Sequence, residues 1–430
     1  MADSPELVLP ERPNARCMEQ LIQAAPAREL AASEDIRDHR GLLLWAKGQR
    51  VTTELRERLI ARRLLRPLES SLEFREPLGA MDILGCARRA LDEYPVLTKM
   101  LGFESQQVLS MLGQLRLLRS PGMLMTAMVQ NRPAAMTHAV IVAMITVWLS
   151  AQLERSEGAM LDAAEAGFLH DLGELYLDPA LLEPTRRLGF EQWRGLCVHP
   201  MVGCALLRES GVYAEQVSVA VREHHERVDG SGYPMGGTEL SALGRLLLSA
   251  EALATLLVSR DHAAARARIA LRMIPGQFPR EVVDVVSARL RLLPREAPAE
   301  VDAARLRQAV VQVLDGLEQG RRQGLQLQAA RSMPLGEQQL LEHLLKLMTR
   351  YEMAMHESGA REVVGNAGLL AAEPDIADEV YRVTREMAWQ LPGLHRHAEL
   401  MVRNRIVDPT HWQPLLDALD LAIDARVAVA

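Results

Sequence analysis

Five of the chain's twelve histidines fall between His138 and His225, several of them beside carboxylates. His170 and Asp171 are adjacent in the run FLHDLGELYLDP, and His224 and His225 open into EHHERVDGSGYP. His199 lies between these runs and His138 precedes them. Neutral imidazole nitrogen and carboxylate oxygen are the donors that borderline divalent metals take. A single histidine such as His138, on the apolar run MTHAVIVAM, is usually a core side chain with satisfied hydrogen bonds. The five histidines taken together with Asp171 point instead to a metal centre. Adjacent His170 and Asp171 suit ligation only at a helix edge, where the aspartate can bridge two ions and its neighbour bind one. A metal pair supplies what phosphodiester hydrolysis needs, an activated water and stabilised charge on the phosphoryl oxygens.

In this order the residues resemble the HD-GYP family, phosphodiesterases that hydrolyse the bacterial messenger cyclic di-GMP. The resemblance spans residues 137–292, and HHERVDGSGYP is its most specific string. It implies metal ligation by His138, His170, Asp171, His199, His224 and His225. His138 and His170 are expected on one ion, His199, His224 and His225 on the other, with Asp171 bridging. Asp171 and Glu174 stand at its catalytic positions. Arg227, Asp229, Gly232, Tyr233, Pro234 and Arg245 stand where it implies substrate contacts. The residues of the loop suit that role: Gly230 and Gly232 permit tight turns, Pro234 stiffens the exit, and Arg227 offers a fork for phosphate. An ordinary glycine turn would explain the glycines but not the preceding His-His-Glu. For Arg245 an ion pair supporting its helix is an equal reading.

Three departures from the family pattern bear on function. The family's HDxGK motif ends here in Glu174, which places a carboxylate where the resemblance implies a phosphate-facing lysine. Loss of such a donor costs roughly two to three decades in rate. Glu174 reads equally as a metal ligand or as an exposed helix-end residue. Glu251 replaces an aspartate ligand and remains a competent oxygen donor, so it joins the metal set, while the family's second aspartate in that run is Ala254. Ala134 stands where members with three metals carry a glutamate, which leaves two divalent ions as the expected cofactor, iron or manganese rather than zinc.

The elements that must hold these residues read as helices. Only 4% of the chain is aromatic, Ala and Leu abound, and the composition is that of a globular protein. The expected fold is mainly α: an all-helical HD-GYP bundle with a small N-terminal α+β module and a helical C-terminal region. The divisions are 1–75 for the small module, 76–135 for a helical connector, 136–293 for the bundle and 294–430 for the C-terminal helices. In the module, strands are expected over 30–36, 41–44 and 66–74, with a helix capped by Thr52 or Thr53. Helices are expected over 81–94 and 105–119, with a break at 120–122. In the bundle they run over 136–153, 159–172, 190–209, 214–225, 243–258 and 280–292. A linker over 294–300 leads to helices over 301–327, 336–356, 375–389 and 409–425. This tail reads as a helical bundle or a dimerising arm, with His395 and His397 in a solvated loop.

The net charge of −7 argues against a nucleic-acid polymer as partner, since such a surface needs a basic field. It leaves room for a small phosphodiester, because a metal pair brings its own positive charge. Cys17, Cys86, Cys197 and Cys204 lack CxxC pairing and read as buried thiols, Cys197 and Cys204 on one helix face. The N-terminal run has no signal-peptide pattern, and the longest apolar stretch, 139–149, is too short to cross a bilayer. A cytoplasmic protein without a membrane partner is expected, a homodimer through its helices being the suggested assembly. The function expected from the resemblance is hydrolysis of cyclic di-GMP, slowed by Glu174. The alternative is a degenerate domain that binds the nucleotide or a protein without turnover. A nucleotide phosphohydrolase sharing only the HD dyad is disfavoured by the complete GYP loop.

Overall fold

The computed structural model describes residues 12–183, 188–259, 262–294, 301–330, 333–366, 373–406 and 408–423. The first eleven residues, most of the expected 294–300 linker and the end of the expected 409–425 helix lie outside them. The chain forms two compact units: Met1–Glu226 with Glu239–Val258, and Arg227–Thr238 with Ser259–Ala430. This partition differs from the four divisions above, because the loop after His225 groups with the C-terminal helices. As expected, the fold is mainly α with a small N-terminal α+β part.

In the first unit, strand Leu30–Ala32 pairs antiparallel with Leu72–Phe74, and Ile36–Arg37 with Leu43–Trp45. The expected 30–36 strand is thus two short ones. Helix Thr53–Leu59 starts at Thr52, whose side chain makes no cap hydrogen bond, and buries Leu55 and Leu59. Helix Ala15–Arg28, capped by Asn14 and packed on Arg119–Asn131, was not read from the sequence. The expected break at 120–122 lies inside that second helix. Pro121 falls in its first turn, where the missing N–H removes no helical hydrogen bond.

The core of this unit is helix Pro133–Gln152, packed against Glu157–Leu169 and Ala242–Leu257. It is apolar on all sides and buried continuously from Ala139 to Ser150, the pattern of a helix enclosed by others. Its length and composition do reach those of a membrane span, contrary to the expectation for 139–149, and 72% of its apolar window is buried inside the protein. Close approach of helix Glu157–Leu169 depends on Gly167, where a Cβ would lie 2.5 Å from Ala143 Cα.

Three helix ends differ from the sequence reading, and each sets a site residue. The expected 159–172 helix stops at Leu169, leaving His170 at its cap and Asp171 in the turn beyond. The 190–209 helix is two helices, Phe190–Leu196 and His199–Ser210. Pro200 cannot donate to residue 196 and its ring clashes there, so the chain breaks and restarts at His199. Cys197 and Cys204 therefore do not share a helix, although all four cysteines are buried and outside disulfides. The 214–225 helix ends at Glu223, with His224 at its cap.

In the second unit, helix Ala303–Ala330 packs on Leu335–Glu357 and Gln413–Ile423. Helix Ala263–Met273, absent from the sequence reading, packs on Pro374–Arg405. That last helix runs through Pro392 to Arg405, so His395 and His397 are helical. His397 is only 5% exposed, and the solvated-loop expectation is corrected for it.

Candidate metal centre

The first unit brings His138, His170, Asp171, His199, His224, His225 and Glu251 into one cluster. Two ligand-like groups share a member: His138, His170 and Asp171 form one, Asp171, His199, His224 and His225 the other. The two oxygens of Asp171 divide between them. Oδ2 lies 3.1 Å from His170 Nε2 and 3.8 Å from His138 Nε2. Oδ1 lies 3.5 Å from His199 Nε2 and 3.6 Å from His224 Nε2. Glu251 Oε2 adds to the first group, 3.0 Å from His138 Nε2 and 3.3 Å from His170 Nε2. His225 packs its ring on His224 at 4.1 Å and on His199 at 5.1 Å between centroids.

Main-chain carbonyls fix the imidazole orientation. Nδ1 of His170 faces the Gly167 oxygen at 2.8 Å, that of His199 the Leu196 oxygen at 2.8 Å, and that of His224 the Val221 oxygen at 2.6 Å. A carbonyl only accepts, so each Nδ1 carries a proton and each ring turns its Nε2 inward, where a lone pair is offered whenever the ring is neutral. The helix ends described above make this possible, since the carbonyls at these ends lack helical donors. His199 Nε2 and His224 Nε2 then face each other at 3.2 Å, and His170 Nε2 and His138 Nε2 at 3.3 Å. Lone pairs so close repel unless a cation or a proton lies between them. Glu251 Oε2, buried beside them, has no hydrogen bond of proper geometry. A convergent set of imidazole nitrogens and carboxylate oxygens with carbonyl-held second nitrogens fits a divalent-metal centre.

The electrostatics divide in the same way. Burial depresses His138 and His170, but Glu251 beside the first and Asp171 beside the second outweigh it, leaving both raised. Burial raises Asp171 and Glu251, and the facing histidines bring both well below the carboxylate range. Burial and then His224 bring His199 down to about 4, and burial with His224 and His199 holds His225 well below its usual value.

The expected second-tier residues have partners that the sequence did not indicate. Glu174 is not an exposed helix-end residue: its side chain is 15% exposed and Oε2 lies 2.8 Å from Arg132 Nη2. Burial, then the Asp171 charge, push its carboxyl up to about 7 against the pull of Arg132. Glu223 accepts from Ser241 N at 3.0 Å and Ser241 Oγ at 2.6 Å, tying the His-His segment to the helix that carries Glu251. Arg245 lies half-buried in the first turn of that helix. Ala134 and Ala254 contribute no donor, as their side chains require.

The other expected substrate contacts belong to the second unit. The guanidinium of Arg227 lies 5.2 Å over the Phe278 ring. Asp229 is committed within its own unit, accepting from Ser231 N at 3.0 Å and facing Arg350 at 3.4 Å. The Gly232 carbonyl accepts from His397 Nδ1 at 3.1 Å, and His397 Nε2 lies 3.3 Å from His343 Nε2. Tyr233 and Pro234 are half-buried. Arg350, His343 and His397 were missed as partners of this loop because they lie more than a hundred residues downstream, in no motif.

Residues 123–277 match the family model for the HD domain. This segment is an HD domain. Within curated proteins, the chain is 30% identical over 135 residues to a 3'3'-cGAMP-specific phosphodiesterase of Vibrio cholerae, covering 31% of this chain and 29% of the relative. It is 31% identical over 111 residues to a cyclic di-GMP phosphodiesterase of Pseudomonas aeruginosa, 25% of this chain and 27% of the relative. A cyclic di-GMP phosphodiesterase response regulator of Xanthomonas campestris is 32% identical over 114 residues, 26% of this chain and 30% of that one. The chain thus spans less than a third of the length of each of these relatives. Among solved structures it resembles an HDG"Y"P protein from Bdellovibrio bacteriovorus, at 18% identity and a TM-score of 0.32, over 49% of this chain and 71% of that one. The expected kinship of the HD domain with the HD-GYP proteins is borne out.

Proposed function

We propose that the chain is a metal-dependent phosphodiesterase of a cyclic dinucleotide, cyclic di-GMP foremost, acting in the cytoplasm. The carrying observation is the division of Asp171, one oxygen toward each histidine group. His138, His170 and Glu251 would hold one divalent ion, His199, His224 and His225 the other, and Asp171 both, with iron or manganese the best match to the mixed donor set. When bound, the ions supply an activated water at neutral pH and charge stabilisation on the phosphoryl oxygens. The chain's own part is to fix the donors. Carbonyl-held imidazoles cannot swing away, and burial of His170, His199 and His224 excludes bulk water from the rear of the cluster. Arg227, Asp229, Gly232, Tyr233, Pro234 and Arg245 remain the proposed nucleotide contacts on the strength of the motif. Asp229, already engaged by Arg350 and Ser231, would act by shaping the loop. The names of the relatives support a cyclic dinucleotide, and two of them name cyclic di-GMP.

A second reading, a nucleotide receptor without turnover, draws on Glu174, a carboxylate three residues from Asp171 where the motif implies a lysine. Chromatography of cyclic di-GMP incubated with manganese- or iron-loaded protein separates the readings. Appearance of the linear dinucleotide or GMP is the expected result. Calorimetric binding without product would favour the receptor, and neither binding nor product would overturn both.

A further inference from the structure

Arg132 belongs to no motif, yet it pairs with Glu174 in the turn that follows His170-Asp171. It occupies the N-cap position of helix Pro133–Gln152, which carries His138. A cation there meets the positive end of the helix dipole, a position that favours carboxylates and disfavours arginine. Glu174, the partner at 2.8 Å, sits in the turn Leu172–Tyr176 that follows the His170-Asp171 dyad, its N–H donating to the Asp171 carbonyl at 2.9 Å. This anchors the guanidinium within one turn of the shared carboxylate. Arg132 Nε and Nη2 are both buried without a hydrogen bond of proper geometry among the described residues, Nη2 keeping its ion pair with Glu174. Native proteins leave few buried donors unmatched, and an unmatched one is met by an ordered water, an ion or a role in the site. A guanidinium carries five N–H donors in a fixed fork, suited to phosphate oxygens, and Glu174 engages only part of that fork.

We propose that Arg132 binds a phosphoryl oxygen of the substrate and that Glu174 is a positioning residue that aims it. The identity of the substrate rests on the phosphodiesterase reading, whereas binding of the anion can be measured without turnover. Glu174 then does not simply remove positive charge from the site, because it holds a cation there. A purely structural ion pair, tying the helix start to the HD turn, would affect stability and leave anion affinity unchanged.

The test is calorimetric titration of the manganese-loaded full chain with inorganic phosphate, alongside metal analysis. Arg132→Gln is expected to weaken phosphate binding about tenfold or more at equal metal content, and Arg132→Lys to recover part of it. Glu174→Gln, which keeps an acceptor but not the charge, should fall between wild type and Arg132→Gln. On cyclic di-GMP, kcat/KM of Arg132→Gln should drop by roughly 10²–10³-fold. Equal phosphate affinities for wild type and Arg132→Gln overturn the proposal. Should Arg132→Gln shed metal, the affinity is taken at saturating manganese, and an unchanged value there overturns it equally. A loss of phosphate affinity in Arg132→Gln, with no turnover by wild type, would support the proposal and sink the phosphodiesterase reading instead.

Discussion

Glu251 shows how a single methylene is accommodated. The longer side chain still brings Oε2 to 3.0 Å from His138 Nε2, so an oxygen donor is retained where the sequence departs from the family aspartate. Its Oε2 faces the His138 and His170 group, whereas the two oxygens of Asp171 divide between both groups. Glu251→Ala should therefore release about one of two ions, with Glu251→Asp keeping both, as elemental analysis would show. Release of both ions by Glu251→Ala would mean that the two groups are not separable. The candidate donors were legible in the sequence because chemistry confines them to histidine and carboxylate in recognisable runs. Arg132 was not, since its pairing with Glu174 joins residues distant in sequence and leaves no local signature.

Helix ends, more than helices, place the candidate ligands. His170 and His224 cap their helices and His199 begins one, so all three find carbonyls free to accept from Nδ1. Periodicity located these helices but ran through their ends, because an apolar period continues past a cap and only a proline such as Pro200 marks the break. In the opposite sense, the helix expected over 375–389 continues through Pro392 and Gly393 to Arg405. The HD turn meets helix His199–Ser210 at Gly173, where any Cβ would collide with the His199 carbonyl and lie 2.8 Å from Gly203 N. Main chain on both sides cannot yield as a side chain could. Gly173→Ala should thus destabilise the protein by about 1–3 kcal/mol or more and lower its metal content, as thermal unfolding and elemental analysis would show. An unchanged melting temperature would mean that this contact is looser than described.

At the scale of the molecule, the division into two units leaves the candidate metal cluster in the first and the GYP loop with the C-terminal helices in the second. The mainly α character and the N-terminal α+β part were legible from composition and periodicity. The grouping of the loop was not, since it depends on His343, Arg350 and His397, which only tertiary packing brings near. Burial, and then His343, hold His397 down to about 4, with Arg405 adding to the effect and the hydrogen bond to Gly232 opposing it. His343 is also lowered, by burial first, with Arg405, Arg350 and Lys346 adding and Asp229 opposing. A histidine depressed on folding binds more protons when unfolded, so its stabilising contribution is complete above about 6.5 and is lost as pH falls toward 4. His397 alone should account for on the order of 3 kcal/mol across that window. His397→Asn keeps a donor for Gly232 without titrating, so denaturant unfolding of the full chain should show a shallower pH dependence for the variant. Parallel curves would remove His397 as a cause.

The shared carboxylate itself is tested most directly by elemental analysis of the anaerobically purified full chain and its Asp171→Ala variant. About two divalent ions per wild-type chain and almost none in the variant are expected, because one side chain serves both groups. Wild-type protein without metal, or a variant that keeps its ions, would contradict a centre built on Asp171.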